Sequence, residues 1–521
     1  MGQPYEVVEY SPSRLLEIFA KLSLATEADV GSKLHGIYFE HYFLELGAKS
    51  IIVEYDYVDR DYLEDFSNYY VKCFNDYCRK CVRLHFFSLK FSSDEFKSAL
   101  SGNTNFEPVT FKNSYLGFIV IKPLPKTIIG RTCLKTYSTG TGRYFPSTRS
   151  YDVNLFGFEL KVESLAYQEQ DQVAAACATS ALWSIFHKTG LLFHHSFPTP
   201  IEITKSATLN LPAERRNLPN NGLTLEQMAH AIRNVGLEPF PVKTQNEYTL
   251  NSTIYAYLSA GIPVAMAVYL FDTSVTPHKP ISDGGHAIAI TGYCMKDSPP
   301  PSHHGIGYLS KSSRIEKLYV HDDQVGPFAR MAIDGVPVNP QAGSPFSLFS
   351  ISSSWKGQDG VIGSVRAVPQ AVLVPLYHKI RIPYDVVEKI VMTFDSYLEV
   401  FRLQGYVPLE ERVEWDIHLS NVNQLRTEIL SSSELQDGFR EETLTTKLPR
   451  FLWRAIGWVK NKPALELVFD ATDIEQGNFF IRGITYKSEL FAILKSLSLQ
   501  PSIRSNVDRS FAKWIFEWFR Q

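Results

Sequence analysis

Hydrophobic and polar positions along this chain change period several times, and each change marks an element. Near the start, Leu15, Leu16, Phe19 and Leu22 recur at helical spacing behind Ser11-Pro12, a pair suited to a helix N-cap and first turn. IIVEYDY over residues 51–57 reads as a strand. A helical pattern then runs through Tyr62, Phe66, Tyr69, Tyr70 and Cys73, and VRLHFFSL and YLGFIVIKPL read as further strands. In the middle of the chain Ala178, Ala181, Leu182 and Ile185 outline an apolar helix that opens at Cys177. Residues 194–221 are irregular and Pro-bearing. Thr224 and Gln227 then form a capping-box pair for a helix with Leu225, Met228, Ile232 and Val235 on one face, and Gly236 suits its stop. Strands are expected at 238–242 and 262–270, in AIAITGY after His286, and over Leu318, Tyr319 and Val320.

The last third predicts a helix over 384–403 and a strand with Val413, Trp415, Ile417 and Leu419 on one face. A further helix, the strands LELVFD and NFFIRGITY, and helices at 489–497 and 511–519 complete it. The closing FAKWIFEWF places Phe511, Trp514, Ile515 and Trp518 on one helical face, which reads as core. Interleaved helices and strands make the fold class α+β. At 521 residues the chain is too long for one core. The patterning suggests a mixed α/β stretch over 1–150, a chemistry-bearing stretch over 151–376 and a mixed stretch over 383–521.

Composition narrows the partners. A net charge of -3 supplies no basic excess of the kind that nucleic acid or an anionic membrane would attract, so neither is expected. No apolar run has the length of a membrane span; the longest, GIPVAMAVYLF, reads as a buried strand. Six cysteines are too sparse for a disulfide framework, and the first residues lack a signal-peptide pattern, so a cytoplasmic, reducing setting is expected.

Candidate chemistry gathers in the central stretch. Cys177 stands where the helix pattern begins, facing the positive end of the helix dipole, which favours a thiolate. Upstream, YQEQDQ offers Gln170 or Gln172 to stabilise an oxyanion together with the Cys177 backbone N–H. His286 follows Gly284 and Gly285 at the head of an apolar strand that would fix its ring. The strand of Leu318 and Val320 runs into Asp322 and Asp323. Asp322 shares a strand face with Leu318 and Val320 and is the better candidate to orient an imidazole, with Asp323 the alternative.

The order Gln, Cys on a helix, G-H-A strand, Asp at a strand end resembles the papain-like cysteine peptidases, over about residues 165–326. Its pattern of a Gly-terminated helix followed by the GIPVAMAV strand is similar to their bacteriocin-processing, double-glycine branch. The resemblance implies a central papain-like domain between two flanking α/β domains, and a peptidase acting through an acyl-enzyme on a protein or peptide substrate. It also implies Cys177 as nucleophile, His286 as base, Asp322 as orienting acid and Gln170 at the oxyanion, with no metal or organic cofactor. The chain departs from the family pattern in two ways. Gln170 lies seven residues before Cys177 and Gln172 five, where about six is usual, and Ala178 stands where many members carry Gly. Two other functions fit the same residues: a transglutaminase-like acyl transferase, and a degenerate papain-like scaffold that only binds. The flanking stretches are candidates to select substrate or receive a regulatory protein.

Three further patterns carry less. Cys73, Cys78, Cys81 and His85 have metal-like spacing but lie in a segment patterned as helix, where they would not converge. STGTGRYFPST lacks the Lys-Ser/Thr ending of a phosphate loop. Asp470 and Asp473 follow a strand with no histidine beside them and read as turn caps.

Overall fold

The structure is a computed structural model. It describes all residues except 1–2, 103–106, 138–141, 172, 174–175, 210–221, 245, 282–284, 342–346, 434, 436 and 476, and the side chains of 437–439 and 488. The chain is mixed α+β and folds into two compact units, neither continuous in sequence. The first comprises residues 1–245, 261–294 and 316–375. The second comprises 246–260, 295–315 and 376–521.

Three main sheets follow the three stretches of patterning, with exchanges at their edges. An antiparallel five-stranded sheet runs in chain order from Tyr5–Glu9 to Ile129–Leu134. A nine-stranded sheet has the central order Gly326–Ala332, Ile315–Asp322, His286–Met295, Val264–Asp272, Val365–Tyr377, and takes Arg143–Tyr144 from the N-terminal stretch. The third, of six strands, combines Ser302–His303 and Tyr308–Ser310 with the four long strands after residue 413. Compactness groups the first two sheets, because one apolar cluster passes through both. Phe39, Phe43, Phe86, Ile119 and Phe145 from the N-terminal stretch pack with Tyr319 and Phe328 from the central one. At about 25 cal/mol per Å² of apolar surface removed from water, such a shared cluster binds the stretches into one unit.

Most expected elements form. Ser11 caps the helix Pro12–Leu22, and Thr224 and Gln227 make reciprocal capping bonds at the start of Leu225–Asn234. Gly236 takes a left-handed φ of +85° after that helix. The helix Tyr384–Leu403 has the expected bounds, and Val413, Trp415, Ile417 and Leu419 are all buried.

Four expectations need correction. The helical pattern through Cys73 stops at Asn68, because the chain passes through a 3₁₀ turn, Tyr70–Lys72, into a loop. Cys78 is exposed there, while Cys81 is buried as the first residue of the next strand. Within the stretch taken as irregular, Pro200–Ala207 is a helix; Thr199 and Glu202 close a capping box and Pro200 occupies the first turn. A helix Glu247–Leu258, capped by Asn246, was not anticipated, because polar Asn251, Ser252 and Thr253 are buried along with its apolar residues and the pattern shows little periodicity. In the C-terminal helix Lys513–Arg520 the buried side chains are Ile515, Phe516 and Phe519, following buried Ala512, and Phe511 is exposed. The stripe is therefore rotated from the one expected.

Ser138 to Thr141 of the glycine-containing stretch lie outside the described residues. Asp470 and Asp473 each accept backbone N–H groups two residues on, as turn caps do. Among the described residues, no helix is long and apolar enough to cross a membrane.

Candidate active site

Cys177 is the first residue of the helix Cys177–Phe193. Its N-cap is Ala176, which has no side-chain oxygen, so the first-turn N–H groups receive no side-chain cap. Ala is a poor N-cap and costs the helix roughly 1 kcal/mol against Ser or Asp. The same omission leaves backbone donors and the positive end of the dipole beside the sulfur. Most of the helix behind Cys177 is buried, including Leu182, Trp183, Ile185 and Phe186, whereas Cys177 itself is only partly so.

His286 opens the strand His286–Met295, and Asp322 ends the strand Ile315–Asp322, its neighbour in the nine-stranded sheet. The start of one strand and the end of the other meet. His286 Nε2 lies 3.2 Å from Asp322 Oδ1. The Cys177 side chain is close enough to the ring to help raise its pKa, and since Nε2 faces Asp322, Nδ1 is the nitrogen left for the sulfur. The expected trio of Cys177, His286 and Asp322 is thus brought together.

Electrostatics follow from these contacts. Burial works against a charge on His286, but the charge and hydrogen bond of Asp322 and the contact with Cys177 outweigh it, and its pKa rises well above the usual imidazole range. Burial also opposes ionisation of Asp322. There His286, the Trp355 indole N–H and the Gln324 backbone N–H prevail and hold its pKa below the usual carboxylate value. Trp355 Nε1 donates to Asp322 Oδ2 at 2.8 Å, and Gln324 N donates to Oδ1 at 3.1 Å. The Trp355 ring stands edge-on to His286 with centroids 5.1 Å apart, so one side chain fixes the acid and covers the imidazole. Sequence reasoning missed it: Trp355 lies in a Ser- and Gly-rich loop with no periodicity, and its only signal was a bulky aromatic among small polar residues.

Asp323 is not the solvated neighbour that a loop acid would be. It is 2 % exposed, and neither carboxylate oxygen has a hydrogen-bond partner from another side chain or segment among the described residues. Its Oδ1 lies 3.8 Å from His286 Nε2. Burial first, and then the neighbouring charge of Asp322, raise its pKa to about 7 against the pull of His286. His286, Asp322 and Asp323 offer one nitrogen and two oxygens within 4.8 Å of one another, a set able to hold a metal ion. No such set forms around Cys73, Cys78 and Cys81 among the described residues.

The glutamines are less well matched. Gln172 and Gly284 lie outside the described residues. Gln170 is partly buried and lines a cavity of about 370 Å³ with Asp323, Gln324, Lys33, His35 and Glu169, and no hydrogen bond joins it to Cys177 among the described contacts. Six residues before Cys177 stands Asp171, which accepts hydrogen bonds from Tyr70 Oη at 2.9 Å and from the Val173 N–H at 2.6 Å.

The acid strand end is held from the N-terminal stretch. His35 Nε2 and Tyr167 Oη both reach the backbone oxygen of Asp323, at 3.1 and 3.0 Å. Another histidine, His321, lies 3.4 Å from Ser184 on the cysteine helix, and burial lowers its pKa to about 3. No family model matches the chain, and no curated protein matches it.

Proposed function

We propose that the chain is a cysteine-dependent hydrolase with a papain-like catalytic domain, cleaving an amide bond in a protein or peptide. The observation that carries the reading is that the buried His286 ring meets Cys177 on one side and Asp322 on the other. In this reading His286 takes the thiol proton, and Cys177 Sγ attacks the carbonyl carbon. The N–H groups at the helix start stabilise the oxyanion, and His286 then protonates the departing amine. Water, deprotonated by the same imidazole, releases the acyl group. Asp322 holds the ring with Nε2–H toward itself, so that Nδ1 is free to accept from sulfur. Trp355 keeps that carboxylate in place. The backbone N–H of Cys177 is the better-supported oxyanion donor, with Gln170 from the cavity side as the side-chain candidate.

The test is labelling with an epoxide that alkylates papain-like nucleophiles, followed by peptide mapping. Cys177 is expected to react ahead of the other five cysteines. Cys177→Ala and His286→Ala are each expected to abolish peptide hydrolysis, by roughly four orders of magnitude, because the pair acts as a unit. Labelling that does not favour Cys177, with unchanged activity in Cys177→Ala, sinks the reading. Adding a primary amine to the assay separates hydrolysis from acyl transfer.

A further inference from the structure

We propose that His286, Asp322 and Asp323 form an inhibitory zinc site, resting on the catalytic roles assigned above. The first observation is geometric. Zn–N and Zn–O bonds of about 2.0–2.2 Å on a tetrahedron separate ligand atoms by roughly 3.3–3.6 Å. The two distances from His286 Nε2, 3.2 Å to Asp322 Oδ1 and 3.8 Å to Asp323 Oδ1, bracket that edge, and all three ligand atoms lie within 4.8 Å. The second is the state of Asp323. Asp323 is 2 % exposed, and neither carboxylate oxygen has a hydrogen-bond partner from another side chain or segment among the described residues. A buried carboxylate left without donors is costly, and the cation within reach, His286, already pairs more closely with Asp322. Catalysis as described above makes no use of Asp323.

The charge agrees with a divalent ion. One neutral imidazole and two carboxylates neutralise Zn²⁺, and the mixed N/O donor set suits zinc better than calcium or magnesium, which prefer all-oxygen shells. A cavity of about 370 Å³ lined by Asp323 and Gln324 lies beside the ligand set.

Inhibition follows from the tautomer. Zinc takes the Nε2 lone pair, so the single proton of the neutral imidazole, held on Nε2 in the catalytic tautomer, passes through solvent to Nδ1. Nδ1 faces Cys177 and, already protonated, cannot accept the thiol proton. At the same time Asp322 exchanges its hydrogen bond to the ring for a bond to the metal. The imidazolium that would accompany a thiolate is replaced by a metal cluster of zero net charge.

The experiment titrates chelator-treated full-length protein with Zn²⁺ by calorimetry, with Co²⁺ as a spectroscopic substitute. Tetrahedral Co²⁺ bands without a sulfur-to-cobalt charge-transfer band are expected, and Cys177→Ala is expected to bind as wild type does. Asp323→Asn is expected to weaken binding by about tenfold or more, since even outer-shell losses cost 10–100-fold. Peptide hydrolysis should fall over the same Zn²⁺ range and return with chelator. Loss of binding in Cys177→Ala, a charge-transfer band in its spectrum, or equal affinity in Asp323→Asn overturns the site. Should Asp323→Asn not fold, the wild-type and Cys177→Ala cobalt spectra decide alone. Zinc bound at this site without inhibition overturns the tautomer argument. A chain that binds zinc as described but never hydrolyses peptide upholds the site and fails the hydrolase reading instead.

Discussion

His286 carries its proton because of Asp322, and that dependence can be measured directly. Asp322→Asn keeps the size and a hydrogen-bonding oxygen but removes the charge that does most to raise the imidazole pKa. The His286 ring resonances are then expected to titrate at lower pH by NMR, and hydrolysis to fall by about 10³-fold or more, since the imidazole loses both orienting partner and counter-charge. Wild-type activity in Asp322→Ala would pass the third role to Asp323. The three groups also make opposite contributions to stability against pH. The raised pKa of His286 stabilises the fold below its unfolded value and is lost as pH rises through the folded one. The lowered pKa of Asp322 stabilises above the unfolded carboxylate value and is lost as pH falls through the folded one. Asp323, raised to about 7, favours the fold when protonated, so its share declines as pH rises from about 4 to about 7. In chelator-treated protein, Asp323→Asn is expected to flatten stability over that interval in urea titrations at stepped pH. Cys177, His286 and Asp322 were legible in the sequence because each stands where a periodic pattern begins or ends. Trp355 and His35 were not, because their roles depend on contacts across 33 and 288 residues of chain. The glutamine of YQEQDQ stayed open because an irregular approach has no period to say which side chain faces the sulfur.

At the scale of elements, the candidate site is the meeting of one helix start, one strand start and one strand end, and the strand end is the part that must be held. The helix Leu34–Leu46 does so from the N-terminal stretch. His35 shares the Asp323 carbonyl with Tyr167, and Tyr38 Oη donates to the Pro327 carbonyl just beyond the turn. Between these contacts lies Gly326, at φ +156°. A Cβ there would stand 2.2 Å from the Tyr38 ring. Gly326→Ala is therefore expected to displace either the ring or the strand end, at about 1–3 kcal/mol by analogy with other overpacked sites, and to slow hydrolysis by moving Asp322. Thermal unfolding and steady-state rates check both parts, and a normal rate in a destabilised variant would separate the turn from the acid. Helices with one clean apolar stripe, such as Tyr384–Leu403, could be read to the residue. The helix Glu247–Leu258, buried on nearly every side, could not, and the tyrosine-rich run to Cys73 satisfied a helical period that the chain follows only to Asn68.

For the whole molecule, the sequence divides more simply than the fold. The alternating patterns of residues 5–134 belong to a sheet of their own, yet its core continues into the central sheet through Phe145, Tyr319 and Phe328. Residues 246–260 and 295–315, which the sequence places among the catalytic elements, join the second unit. No local pattern reports which of two cores a buried strand or helix faces, so such crossings are illegible before the contacts are known. The second unit has a buried ion pair of its own. Arg454 Nε donates to Glu466 Oε1 at 2.6 Å and its Nη2 to Oε2 at 3.2 Å, with the two side chains 2 % and 0 % exposed. Burial opposes the charge on the guanidinium, but Glu466 and then Glu428 outweigh it. Tyr486 Oη adds a third donor to Glu466. Removing one partner strands the other in a dry interior, so Glu466→Met alone is expected to cost about 3–5 kcal/mol. Replacing both, as Arg454→Met with Glu466→Met, removes the stranded charge and is expected to cost clearly less than the two single changes summed, because neighbouring sites do not add. Urea unfolding of the four proteins completes the cycle. A double variant as unstable as that sum would mean that packing around Tyr486 and Glu428, rather than the uncompensated charge, sets the cost.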